Sequence, residues 1–297
     1  MALILKRGSK GRQVKTLQHW FSRLQRPPPA LDTSGTFGPQ TEATVKQFQA
    51  AHRITPANGV VGASTWAALG NVVGTYIWLK ESGTTESLAR LGTDLVLGGL
   101  TFRHDQFMSD YMGTYGILDD SAAHGLSMLL RFIDRDPQIS DVRWAAYMLA
   151  TVKHECADTW QPIEEYGQGA GYAYGNPVNV MGSDGQTYSN VYYGRGYVQL
   201  TWKKNYKTMS DILYGDDRLV LHPELVLEPD VAYKIMSYGM RNGSFTSRSL
   251  GDYIKDRNCN YVNARRIING TDEATRIAIY AKELERMLKA SRYGPSK

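Results

Sequence analysis

Helical stretches and glycine turns alternate through the first 70 residues. Val14, Leu17, Phe21 and Leu24 recur every three or four positions, the spacing that puts apolar side chains on one face of a helix. The prolines Pro27 to Pro29 stop that helix. A turn containing Gly35 and Gly38 follows Asp32, and a second helix runs from Thr41 to Ala51 with Val45, Phe48 and Gln49 near one face. Asn58-Gly59 marks another tight turn, after which Thr65, Trp66 and Leu69 open a last short helix. Three short helices around so small a core need Trp20, Phe21, Phe37, Phe48 and Trp66 inside it.

The pattern then changes. Residues 71–117 show little periodicity; Ser82-Gly83-Thr84-Thr85 reads as a loop and its flanks as connecting helices. From about residue 118 the spacing is helical again, broken by a stretch rich in Gly, Tyr and Asn at 166–196. That stretch is long for a structureless loop in a compact domain, and loops of this kind line substrate clefts. Three segments follow: a small self-contained domain at 1–70, a connector at 71–117 and a larger, predominantly helical domain with a cleft at 118–297.

Composition adds limits. Hydrophobic residues make up 42% and charged residues 21% of the chain, as in ordinary soluble proteins. The most apolar patch, Leu95 to Leu100, is far below the roughly 18 residues a membrane span needs, so no stable membrane insertion is expected. At the N-terminus the apolar residues precede Lys6-Arg7, the reverse of a secretory signal. No secretory signal is therefore expected, and a substrate outside the cytoplasm would have to be reached by another route. Cys156 and Cys259 make no disulfide framework, and free thiols are expected. Residues 1–70 carry nine Lys/Arg against two Asp/Glu, a net of +7, while the remainder carries −2. A basic module on a nearly neutral body points to an anionic polymer, without choosing among nucleic acid, envelope polymers and peptidoglycan.

Candidate chemistry begins at Glu155. Trp144, Met148, Val152 and Glu155 fall on one helical stripe, so a carboxylate stands on an apolar face. Such a group is either paired or kept as an acid, and a desolvated carboxyl is what a general acid requires. Glu164 and Glu165 follow in "DTWQPIEEYG", where Pro162 breaks the helix and lets the chain fold back across a cleft. In "YYGRGYVQLTWKKNY", an extended reading puts Val198, Leu200 and Trp202 on one face and Tyr197, Gln199 and Thr201 on the other. In "RRIINGTDEATRIAIY", Asn269-Gly270 turns into a final helix capped by Thr271 or Asp272. Ile277, Ala281, Leu284 and Leu288 face its core, and Arg276 lies off that stripe.

Two resemblances follow from these motifs. Residues 3–70 resemble the peptidoglycan-binding type 1 module, through Gly8-Ser9-Lys10-Gly11, Leu17-Gln18, Gly35-Thr36-Phe37-Gly38, Phe48-Gln49, Gly59-Val60-Val61-Gly62 and Thr65-Trp66. Residues 118–290 resemble family-19 glycoside hydrolases, the fold of plant chitinases and of many phage endolysins. The matching motifs are His154-Glu155, Tyr193-Gly194-Arg195-Gly196, Gln199-Leu200-Thr201, Asn205-Tyr206, Ile268-Asn269-Gly270 and Arg276-Ile277. The implied fold class is mainly α, with α+β lysozyme-like character.

The resemblance implies Glu155 as general acid, Glu164 as the second carboxylate and Thr201 as a water-holding hydroxyl. It places Gln199, Asn205, Tyr193 and Asn269 on the sugar and Arg276 near the acids. The expected activity is that of a lysozyme-type endolysin: hydrolysis of β-1,4 bonds between N-acetylmuramic acid and N-acetylglucosamine in peptidoglycan, with inversion. The partner is the insoluble wall polymer and not nucleic acid. A monomer without cofactor or metal is expected.

The main alternative is a chitinase acting on N-acetylglucosamine polymers with the same catalytic residues. A zinc amidase or peptidase fits less well, because His154-Glu155 is not followed by the second histidine of H-E-x-x-H. A non-catalytic nucleic-acid binder leaves Glu155 and the Gln199/Thr201 face without a role.

Overall fold

The computed structural model describes residues 3–24, 31–82 and 100–292, with side chains undescribed at 75, 76 and 78–82. The proline stop at 27–29, the Gly83-Thr84-Thr85 loop and the patch at 95–99 lie outside the described residues. The chain is mainly helical and divides into two compact units. Among the described residues, 3–82, 101–130 and 287–292 cluster in one unit; 100 and 131–286 cluster in the other.

In the first unit, α1 (Arg12–Leu24), α2 (Pro39–Ala51) and α3 (Ala63–Ser82) form in the order the periodicity predicts. Trp20, Phe21, Phe37, Phe48 and Trp66 are all buried. Two glutamines repeat one hydrogen-bond bracket. Gln18 Nε2 donates to Thr36 O and Thr41 Oγ1, both at 2.9 Å, while its Oε1 accepts from Gly35 N at 3.0 Å. Gln49 Nε2 donates to Val60 O at 2.8 Å and Thr65 Oγ1 at 3.0 Å, and its Oε1 accepts from Gly59 N at 2.9 Å. Each bracket ties a buried amide to a turn whose glycine has a left-handed φ, +87° at Gly35 and +79° at Gly59. Glycine adopts that conformation without a Cβ clash.

Helix α3 differs from the short helix expected, extending over 20 residues. Gly70 and Gly74 within it serve close packing. A Cβ on Gly70 would lie 2.5 Å from Met108 O, and one on Gly74 would lie 3.1 Å from Met108 Cβ. Their bare backbone therefore lets α3 lie directly on α4 (His104–Tyr115), within the segment read as a connector. Next comes α5 (Asp120–Asp134).

The second unit is built around α6 (Val142–Glu155), capped by the Asp141 side chain accepting from Arg143 N at 2.9 Å. Residues 145–153 of this helix are buried on every face, so it is a central helix and not the amphipathic one its stripe implied. Two-stranded ribbons replace a sheet: β1 (Ile163–Glu164) pairs with β4 (Arg195–Gly196), and β2 (Val178–Met181) pairs with β3 (Thr187–Asn190). Then follow α7 (Lys203–Tyr214), α8 (Arg218–Leu221), α9 (Pro229–Asn242), α10 (Leu250–Tyr253), the β5–β6 ribbon (Ile254–Lys255 with Asn258–Cys259), α11 (Tyr261–Ala264) and α12 (Ala274–Ser291), whose residues from 287 onward cluster with the first unit. On α12, Ile277, Ala281, Leu284 and Leu288 are buried, as the periodicity predicts. Both cysteines are free, Cys156 buried and Cys259 exposed.

Candidate active site

A pocket of about 420 Å³ opens in the second unit, lined by the last residue of α6, by Glu165 and Gly194 at the end of the β1–β4 ribbon, by Asn205 of α7 and by the loops around them. Glu155 enters it from the C-terminal end of α6. That end carries the negative pole of the helix, so a carboxylate there needs a compensating cation. Arg265 supplies it: its guanidinium, 3% exposed, donates to Glu155 Oε1, and its Nε donates to Asp272 O at 3.0 Å. Close by is Tyr147, whose ring stacks on Tyr261 at 5.8 Å and 8°. Burial pushes the Tyr147 hydroxyl well above the usual tyrosine range, with the Arg265 charge opposing this.

The β1–β4 ribbon decides which of the adjacent glutamates reaches the pocket. Consecutive residues of an extended chain point to opposite faces. Glu164 pairs across the ribbon with Arg195 and faces away from the pocket. Its Oε1 accepts from Tyr193 Oη at 2.8 Å and lies 3.6 Å from Arg195 Nε. Arg195 is itself buried, with its guanidinium 3.6 Å over the Tyr193 ring and donating to Val191 O at 2.9 Å and Tyr206 Oη at 3.1 Å.

Glu165 takes the other face and lines the pocket. Its backbone N donates to Gly194 O at 2.8 Å, its Oε2 accepts from Gly194 N at 3.0 Å, and its Oε1 accepts from Tyr174 Oη at 3.0 Å. A Cβ at Gly194 would lie 2.9 Å from Gln199 Oε1 and 3.4 Å from Glu165 Oε2, so any larger residue there displaces the Gln199 amide.

Residues 196–202 form a tight reversal, not the extended strand expected. Arg195 and Leu200 exchange backbone hydrogen bonds of 2.8 and 3.2 Å, and Gln199 and Trp202 take φ values of +52° and +74°. The two faces assigned from alternation therefore collapse into one, and every residue from Val198 to Trp202 lines the pocket. Gln199 Nε2 donates to Ile163 O at 3.1 Å and Gly196 O at 3.2 Å, tying the reversal to β1. Thr201 Oγ1 donates to Gln199 O at 2.8 Å, which leaves its lone pairs to accept from a third group. Asn205 Nδ2 donates to Thr201 O at 2.8 Å and fixes that residue from behind.

The structure thus brings Glu155, Gln199, Thr201, Asn205 and Asn269 into one pocket. It does not bring Glu164, Tyr193 or Arg276 there. Tyr193 is buried beneath the ribbon against Glu164, and Arg276 is exposed on α12, paired with Glu273 at 3.1 Å. The arginine on Glu155 is Arg265, four residues before Asn269 in the same motif. Sequence reasoning passed over Arg265, Tyr174, Trp202 and Phe245 as site residues, although Trp202 sits inside a motif already singled out. Among the described residues no three His, Cys, Asp or Glu side chains come together as a metal site, and no helix is long and apolar enough to cross a membrane.

Comparison with known proteins bears out the first resemblance. Residues 10–69 match the family described as a putative peptidoglycan binding domain. Among solved structures, the chain is similar to chitinase C from Streptomyces griseus HUT6037, at 26% identity and a TM-score of 0.38. It is also similar to a single-substitution mutant of chitinase C, at 23% identity and a TM-score of 0.37. Each match covers 52% of this chain and 62% of the other, so the chain spans less than two thirds of the length of these relatives. Comparison with curated proteins gives no match.

Proposed function

We propose that the chain is a glycoside hydrolase that degrades bacterial peptidoglycan, with Glu155 as general acid and Glu165 as the carboxylate that activates water. One observation carries this reading: two carboxylates, delivered by a helix end and by a separate ribbon, line a single pocket together with an acceptor hydroxyl and amide side chains. This donor set suits direct displacement at an anomeric carbon. Arg265 pairs with Glu155 Oε1, so in the protonated form that reacts, Oε2 carries the proton passed to the glycosidic oxygen. A water between Glu165 and Thr201 donates one hydrogen to each; Glu165 takes its proton as the water oxygen bonds to the anomeric carbon. The leaving sugar departs with the proton of Glu155, and the configuration inverts.

The module at 10–69 favours peptidoglycan over plain chitin, because a tethered binding domain raises the local concentration of an insoluble polymer. The bond we assign is the β-1,4 link between N-acetylmuramic acid and N-acetylglucosamine, and cell lysis is the biological outcome we assign to its cleavage. Mass analysis of digested, borohydride-reduced peptidoglycan tests this: reduced muramic ends mark a muramidase, and reduced glucosamine ends a glucosaminidase. Release of peptide stems without new reducing ends overturns the glycosidase assignment. Faster cleavage of chitin oligomers than of wall fragments overturns the substrate assignment.

A further inference from the structure

Three aromatic side chains meet at the edge of the pocket. Tyr174 stacks on Tyr172 at 5.1 Å and 4°, and meets Trp202 edge-on at 5.2 Å and 76°. Tyr172 is 62% exposed and Trp202 50%, so both offer apolar ring surface to solvent, while Tyr174 between them is half-buried. The loop that carries Tyr172 and Tyr174 is closed by two glycines in contact. A Cβ on Gly175 would lie 1.9 Å from Gly169 O, and one on Gly169 would lie 2.6 Å from Gly175 Cα. No side chain fits at either position, and the approach fixes where the Tyr174 ring points. Its hydroxyl donates to Glu165 Oε1 at 3.0 Å, while Gly194 N holds Oε2 at 3.0 Å. The two carboxylate oxygens of Glu165 are thus oriented by two neutral donors, one a rigid backbone amide and one a phenol on a separate loop. Burial and this hydrogen bond push the Tyr174 phenol up to about 12, so it remains a donor across the working range.

We propose that Tyr174 is a positioning residue for Glu165, and that a sugar ring resting on Tyr172 and Trp202 steadies it, coupling glycan occupancy to the orientation of the water-activating carboxylate. The inference rests on the reading of Glu165 as that carboxylate. Aromatic faces pack on the C–H faces of pyranose rings, as apolar surface does on any flat partner. Exposed rings joined to the Glu165 donor give bound glycan a direct mechanical path to it.

The test is a kinetic cycle on a soluble glycan fragment of peptidoglycan, using full-length protein with Tyr174→Phe, Glu165→Gln and the double variant. Tyr174→Phe keeps the ring and removes only the hydroxyl. It should lower kcat about tenfold with KM within about twofold, the signature of a contact that matters in the transition state. In the Glu165→Gln background the same change should cost less than about twofold, because residues acting as a unit are not additive. Tyr172→Ala and Trp202→Ala should raise KM more than they lower kcat. Gly175→Ala, which keeps Tyr174 but forces its loop off Gly169, should reproduce the kcat loss; it also decides the matter if Tyr174→Phe does not fold. Unchanged kcat in Tyr174→Phe, or losses that multiply in the double variant, overturn this inference while leaving the proposed function intact. A fully active Glu165→Gln overturns the proposed function itself.

Discussion

Glu164 and Glu165 are chemically identical neighbours, and substituting each in turn tests whether the ribbon geometry assigns them correctly. Glu165→Gln removes the carboxylate we propose as acceptor of the water proton while keeping an oxygen for Tyr174 or Gly194 to bond. General-base assistance is worth about 10²–10⁴ in rate, or roughly 3–5 kcal/mol of barrier. Folding should barely change.

Glu164→Gln does the reverse. The amide keeps an acceptor for Tyr193 Oη, and what is lost is the 3.6 Å ion pair with Arg195 and the exposed 3.3 Å hydrogen bond from Gln168 Nε2 to Oε2. Arg195 retains its stacking on Tyr193 and its bonds to Val191 and Tyr206, so the loss should be on the order of 1 kcal/mol. That corresponds to a thermal midpoint lower by about 2–4 °C. Turnover should stay within about threefold of wild type, as expected for a group outside the reacting geometry. Initial rates of reducing-end release and thermal melts followed by circular dichroism give both quantities. A Glu164→Gln variant a hundredfold slower with an unchanged melt, beside a Glu165→Gln variant near full rate, would refute the assignment.

Other consequences are independent of that pair. Gln49→Leu leaves the Gly59 N–H, the Val60 carbonyl and the Thr65 hydroxyl without their partner. At about 1–3 kcal/mol per buried group, this should unfold much of the module and abolish co-sedimentation with peptidoglycan; normal binding would contradict the bracket. Arg265→Met strips the cation from Glu155 and should cost about 3–5 kcal/mol of stability together with most of the activity. A stable, fully active variant would remove Arg265 from the site. In native protein a thiol reagent should reach Cys259 and spare Cys156, whose thiol is buried and pushed well up in pKa by that burial. Equal labelling of both before unfolding, read by peptide mass mapping, would count against the packing behind α6.

The parts of the fold legible in the sequence are those set by local period and local turn chemistry. Val14, Leu17 and Phe21 announce α1, and Ile277, Ala281, Leu284 and Leu288 announce α12; all of these are buried as expected. The paired glycine turns announce the module, and Gln18 and Gln49 echo each other because they perform one task twice. Where a residue's role depends on a distant partner, the sequence misleads. Thr65, Trp66 and Leu69 announce only a short helix, yet α3 continues through Gly70 and Gly74, the places where it touches α4. Arg276 stands off the apolar stripe of α12 and so looks available for a carboxylate, but it is spent on Glu273. Arg265 leaves no periodic trace because it sits on a short 3₁₀ turn rather than a long helix.

The choice between Glu164 and Glu165 shows why this boundary falls where it does. Nothing in the side chains or their immediate neighbours separates the two. What separates them is parity: pairing Ile163 with Gly196 and Glu164 with Arg195 sets which face each successive side chain takes. The partner strand lies some thirty residues away, and its register is held by Gln199, whose amide bonds Ile163 O only because the chain reverses at a left-handed φ. A strand shifted by one residue exchanges its faces. Shifting β1 by one residue against β4, so that Ile163 pairs with Arg195, would accordingly bring Glu164 to the pocket and turn Glu165 to the opposite face. Which of the two glutamates lines the pocket is therefore decided by the ribbon, not by the glutamate.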